Sequence, residues 1–256
     1  MTVFARSYRL LLPYVTLSIL TYSATQAGTA EAAPLTETQG QLELNWSTML
    51  VRFTGQAQPT PEDGASFKPT ERRAWQDALA TVGPQFSSLK GSLPGLRDDA
   101  ADLVRSTSWS KNTTYFSDGQ VRVLLENALP KIFANEAIGT APLAEAKDLP
   151  ATGVILSVTK SARPVAAWTL RDQTGREVFG PKMVSRNSWE QTLMGRWFRR
   201  PGRREIEAHV GAQPVSIDVV PGSGPGELVL VSNLAEEQEN TVRYLMATGR
   251  VVLAVR

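Results

Sequence analysis

Five arginines and two aromatic residues share nine positions in Arg196-Trp197-Phe198-Arg199-Arg200-Pro201-Gly202-Arg203-Arg204. A guanidinium presents its donors as a flat fork that holds a phosphate or carboxylate through two bonds, and a neighbouring ring adds stacking or interfacial burial. Arg196, Trp197, Arg199, Arg200, Arg203 and Arg204 are therefore a candidate anion-binding surface. The same residues also suit a basic loop in which Trp197 and Phe198 plug the core and the arginines pair with acids such as Glu205 and Glu207. Both readings stand at this stage.

Other chemistries are limited by what the chain lacks. It has no cysteine, so disulfides, thiolate metal sites and a thiol nucleophile are excluded. With His209 as the single histidine, a zinc centre would rest almost wholly on carboxylates. A serine triad would need His209 as its base, and no Gly-x-Ser-x-Gly elbow accompanies it. The acidic clusters Asp98, Asp99, Asp102 and Glu236, Glu237, Glu239 read as solvated faces or as complements to helix dipoles. Gly222-Ser223-Gly224-Pro225-Gly226 resembles a phosphate loop only in its glycines; it lacks the lysine, and Pro225 removes an amide donor, so it reads as a turn. Asn45-Trp46-Ser47 and Asn112-Thr113-Thr114 fit the glycosylation triplet, a pattern short enough to arise by chance. The expectation is a protein with no catalytic residues, no metal and no cofactor.

The elements that position these residues begin after a leader. Arg6 and Arg9 precede the apolar run Leu10 to Tyr22, and small residues follow at Ala24, Ala27, Ala30, Ala32 and Ala33, the order of a secretory signal. The run is shorter than the roughly 20 residues of a spanning helix and contains Pro13. Cleavage is expected after Ala27 or Ala32, giving a periplasmic or secreted product with no integral span and no lipid cysteine. The sequence pI is about 9.0. Loss of Arg6, Arg9 and Glu31 would bring the net charge from +2 to +1, so global charge selects no partner and nucleic acid is not expected.

Residues 33–44, mostly polar, read as a tether. Trp46 to Phe53 reads as a strand running to Gly55, and Gln56 to Lys68 as a loop. Thr70 can cap a helix whose Ala74, Ala78, Leu79 and Val82 share one face and which is expected to stop near Gly83-Pro84. A second helix is expected from Leu96 to Ser106, with Ala100, Leu103 and Val104 facing inward. Thr113 to Phe116 and Val121 to Ala128 flank Asp118-Gly119, a hairpin signal because both turn residues tolerate positive φ.

Val51-Arg52-Phe53-Thr54-Gly55-Gln56-Ala57, Glu71-Arg72-Arg73-Ala74-Trp75-Gln76-Asp77-Ala78-Leu79 and Asp118-Gly119-Gln120-Val121-Arg122-Val123 together resemble the N-terminal domain of flagellar assembly protein T. They are also similar to the twenty-kilodalton outer-membrane lipoprotein family of envelope proteins. The resemblance implies an α+β unit over about the middle third of the chain and an envelope setting, possible flagellar assembly included. The long loop before the helix and the missing lipid cysteine depart from it.

Ala141 to Ala151, with Pro142 and Pro150, marks a composition shift expected to be a linker over 141–150. Beyond it come a strand at Thr152 to Val158, a hairpin from Ala166 to Phe179 around Asp172-Gln173-Thr174-Gly175, strands at Val215 to Val220 and Leu228 to Val231, a helix capped by Ser232-Asn233, and a last strand from Arg250 to Val255. Thr152-Gly153-Val154-Ile155, Asp172 to Gly180 and Gly249 to Leu253 look like the C-terminal half of uncharacterised exported bacterial proteins, which implies a fold and a compartment. The expected class is α/β (α+β): two small mixed domains, 45–140 and 151–256, each with a sheet packed against helices. The function expected is that of an exported, non-enzymatic structural or interaction protein of the cell envelope with a protein partner. The alternative is a periplasmic binding module for anionic lipid, glycan or peptidoglycan acting through the arginine segment.

Overall fold

The computed structural model describes residues 34–64, 66–90, 93–134, 138–141, 150–158 and 162–256. The expected leader and nearly all of the expected linker lie outside them. The described residues belong to one compact unit and hold two sheets and five α-helices, a mixed α/β fold.

The N-terminal sheet opens with β1 (Thr36–Gln39) and β2 (Leu42–Asn45), which pair antiparallel across the turn at Gly40. This hairpin occupies most of the segment expected to be a tether. Its polar composition belongs to an edge strand, while Leu42 and Leu44 alternate into the core at 1% exposure each. The expected strand at Trp46 is instead a turn: Asn45 Oδ1 accepts from Ser47 and Thr48 N–H, Met49 takes φ 58, and β3 (Leu50–Ala57) starts after it.

Helix α1 (Lys68–Leu89) crosses the face of β3 that carries Val51 and Phe53. Gly55 sets how close it comes, because a Cβ there would lie 2.1 Å from the Ala74 carbonyl oxygen. The helix passes through Pro84 where it was expected to stop. Pro84 faces solvent, whereas Phe86 and Leu89 are buried, Phe86 edge-on to Phe53 at 5.7 Å between centroids. Burial of those two contributes about 1.5–3 kcal/mol each, which offsets the roughly 3 kcal/mol cost of an interior proline.

Helix α2 (Ala100–Thr107) starts later than expected, after Leu96 has bridged to Phe133 and Arg97 has engaged Asp99. Strands β4 (Trp109–Tyr115) and β5 (Val121–Ala128) form the hairpin around Asp118-Gly119 and complete the order β1-β2-β3-β5-β4.

The second sheet contains β6 (Gly153–Val158), β7 (Thr169–Arg171) and β8 (Glu177–Phe179). It continues through helix α3 (Arg186–Thr192), β9 (Arg196–Arg199), helix α4 (Arg203–Val210), β10 (Pro214–Pro221), β11 (Glu227–Leu230), helix α5 (Glu236–Ala247) and β12 (Val251–Val255). The strand order is β8-β7-β11-β10-β6-β12-β9, and β10, β6, β12 and β9 run parallel. Alternation gives the sheet two covered faces. Val154, Leu156 and Leu253 join Val242, Leu245 and Met246 of α5 in the main core, whereas Phe198 and Val252 pack with Val210 of α4 on the opposite side. Gly153 lets α4 approach, since a Cβ there would meet that of Val210 at 2.4 Å. Helix α5 begins after Ala235 and not at the expected Ser232-Asn233 cap.

The two sheets meet at β9. Trp197 N–H donates to the Trp46 carbonyl at 3.2 Å, and Phe198 forms an antiparallel bridge with Pro34. Residues of both sheets belong to one hydrophobic core.

Candidate anion-binding surface

The arginine segment is neither one loop nor one surface. Its first four residues are β9, whose inner edge pairs with β12 and whose outer edge receives the turn at 46–48. Period-two alternation then separates neighbours in sequence.

Trp197 points into the core and is 1% exposed, with its indole N–H donating to the Val165 carbonyl at 3.2 Å. It is a core plug and presents no exposed ring beside the arginines, which corrects its place in the candidate anion-binding set. Arg196 is also diverted. Its Nη1 donates to the Ser47 carbonyl at 2.9 Å, its Nε is buried without a partner, and burial lowers its pKa. Arg196 braces the junction of the sheets.

Arg199, Arg200, Arg203 and Arg204 remain, all exposed: Arg199 ends β9, Arg200 follows it and Arg203 and Arg204 open α4. Arg200 turns the chain with φ 48 while its N–H is held by the Val255 carbonyl at 3.1 Å. Glu205 accepts the Gly202 N–H at 2.9 Å and places an acid in the first turn of α4. Arg203 Nε reaches Glu207 Oε1 at 2.6 Å one turn on, a solvent-exposed pair. Arg199, Arg200 and Arg204 make no ion pair among the described residues.

Sequence reasoning missed Arg256. It follows β12, whose Val255 pairs with Arg199, and it binds Ser157 Oγ at 2.9 Å and Asp218 at 3.2 Å. Only the parallel register brings it beside the segment. The resulting edge collects the C-terminal ends of β9 and β12 together with the start of α4, the end of an open α/β sheet where ligands usually bind. Its guanidinium forks can hold phosphates or carboxylates in a salt-sensitive way.

The other groups singled out in the sequence are otherwise engaged. His209 stacks against Phe198 with ring centroids 5.5 Å apart, and burial, with Arg196 nearby, lowers its pKa. Asp98, Asp99 and Asp102 pair with Lys90, Arg97 and Arg105. Glu239 is held by Arg176 and Arg243, tying α5 to the β7–β8 hairpin. Residues 222–226 form the β10–β11 turn, closed by Gly222 N–H on the Glu227 carbonyl at 2.7 Å. No helix among the described residues is long and apolar enough to cross a membrane. The chain matches no protein-family model, and a comparison with curated proteins returns no match.

Proposed function

We propose that this chain is an exported, non-enzymatic protein of the bacterial cell envelope that docks on an anionic phospholipid surface through Arg199, Arg200, Arg203 and Arg204. The observation that carries the reading is the run of these exposed arginines from the end of β9 to the start of α4, three of them without an acidic partner among the described residues. Pro34, two positions beyond Ala32, is bridged to Phe198, so the chain joins the fold beside this edge. The residues resembling envelope proteins support the compartment, with flagellar assembly as one setting within it.

The test is sedimentation with vesicles containing phosphatidylglycerol, compared with phosphatidylcholine alone. The processed protein is expected to bind the anionic vesicles at low salt and to release as ionic strength rises through about 0.15 M. Changing Arg199, Arg200 and Arg204 to Ala is expected to abolish binding. Retention on wall fragments but not on vesicles would move the assignment to peptidoglycan, and indifference to both would end it.

A further inference from the structure

A cleft of about 830 Å³ lies between the β1–β2 hairpin with the end of α1 on one side and residues 162–168 and 221–228 on the other. Its floor is apolar, with Leu44, Trp168, Trp197 and Leu228 each no more than 3% exposed. Three of its polar lining residues, Glu37, Thr38 and Gln39, come from β1.

β1 is the outermost strand of its sheet and pairs only with β2. Trp46 N–H donates to the Leu35 carbonyl, and a two-residue turn closes the hairpin opposite Gln39 and Leu42. Ladder alternation between those points assigns the main-chain groups of Glu37 and Gln39 to β2. The N–H and C=O of Thr36 and Thr38 are thereby directed outward along the free edge, where they have no main-chain partner among the described residues.

Two carboxylates, Glu37 and Glu227, line the cleft. Glu37 is half-buried and makes no ion pair among the described residues, whereas the second acid, Glu227, is engaged by Arg171 at 3.3 Å. Arg163, the only basic residue of the lining among the described residues, is exposed and, after Trp46, acts on Glu37 without forming an ion pair. Burial raises the Glu37 pKa, so an incoming cation would be repaid by a carboxylate that water solvates poorly.

We propose that the cleft captures an extended segment of a partner polypeptide as an added strand on β1, with a lysine or arginine against Glu37 and an apolar side chain on the Trp168 floor. Main-chain pairing to Thr36 and Thr38 supplies register, and the acid and the floor supply selectivity for a segment that alternates basic and apolar residues. The site uses none of the arginines of the docking edge. It can fail while vesicle binding survives, and the reverse.

The test uses two labelled nonapeptides, one alternating lysine with valine and one alternating glutamate with valine, followed by fluorescence anisotropy. Only the basic peptide is expected to bind. Thr38→Pro, which removes an outward N–H at an edge position that tolerates proline, is expected to weaken it at least tenfold, and Glu37→Gln to erase the preference over the glutamate peptide. Amide exchange on the unaltered protein guards against a folding artefact; peptide is expected to slow exchange at Thr36 and Thr38. Binding without that protection, binding undiminished in a folded Thr38→Pro variant, or no binding at millimolar peptide would overturn the proposal. So would a peptide-free dimer dissolved by Thr38→Pro, which would make a second copy of this chain the occupant.

Discussion

Ser47 Oγ donates a hydrogen bond of 2.6 Å to the carbonyl of Trp197, a residue 150 positions further along the chain. The same oxygen accepts the N–H of Leu35 at 2.9 Å. One hydroxyl therefore serves two main-chain groups that are otherwise buried, one from each side of the junction. Ser47→Ala leaves both without a partner, and an unsatisfied buried group costs about 1–3 kcal/mol. The expected loss is about 2–4 kcal/mol by urea denaturation, with the slope of the transition unchanged. A loss below about 0.5 kcal/mol, the range of an ordinary surface change, would mean that the two sheets are held together elsewhere.

Trp197→Ala separates the two roles first open to that residue. With its ring in the core, truncation is expected to cost about 3–5 kcal/mol, while the fraction that stays folded keeps its affinity for anionic vesicles. The Arg199, Arg200 and Arg204 triple alanine variant should show the opposite profile, with stability within about 0.5 kcal/mol of the parent and binding gone. Equal loss of both properties in either variant would contradict the separation of a buried Trp197 from the exposed arginines.

The alternation within Arg196-Trp197-Phe198-Arg199 explains why the sequence reading of this site was incomplete. Four residues flanked by basic ones and a proline suggested a loop, because the period-two signal is too short to stand out. The hairpin at Asp118-Gly119 was legible since its turn residues announce positive φ and long strands surround them. β1 was not, since an edge strand of Thr, Glu and Gln carries no hydrophobic alternation of its own and depends on Leu42 and Leu44 across the turn. Pro84 misled for a different reason: local propensity argued for a stop, and the burial of Phe86 and Leu89 overrode it. Helix α3, capped by Ser185 on the Ser188 N–H, went unread. Arg256 and the cleft beside Glu37 could come only from three-dimensional register.

Acid should loosen the β7–β8 hairpin from α5. The Asp172 carboxylate accepts the Thr174 hydroxyl at 2.6 Å and pairs with Arg176, and these contacts hold its pKa at about 2 against an ordinary 3.8. A folded-state pKa below the unfolded one contributes stability that is present above about pH 4 and lost as pH falls towards 2. Thermal unfolding followed from pH 5 to pH 2 is expected to show a steeper fall for the parent than for Asp172→Asn, which has no carboxylate to protonate. Parallel curves would remove Asp172 from the account of acid sensitivity.

Limited proteolysis addresses the junction directly. Cleavage within 142–149 is expected to give two fragments that migrate together on a sizing column, because the contacts of Ser47, Trp46 and Pro34 with β9 do not depend on that peptide connection. Fragments that separate under native conditions would show two independently folding domains.

The position of β9 also dictates an order of assembly. It lies between the turn at 46–48, which precedes it by about 150 residues, and β12, which follows it, and it pairs with Val252 to Val255. A polypeptide that emerges N-terminus first can complete its early hairpins locally, yet it cannot seal Trp46 and Ser47 until about 150 further residues have followed. Even then β9 has no inner neighbour until β12 arrives. The five residues of β12 thus act as a latch, and a chain truncated before Val251 would lose in one step its outermost parallel pairing and the rigid mount of its arginines.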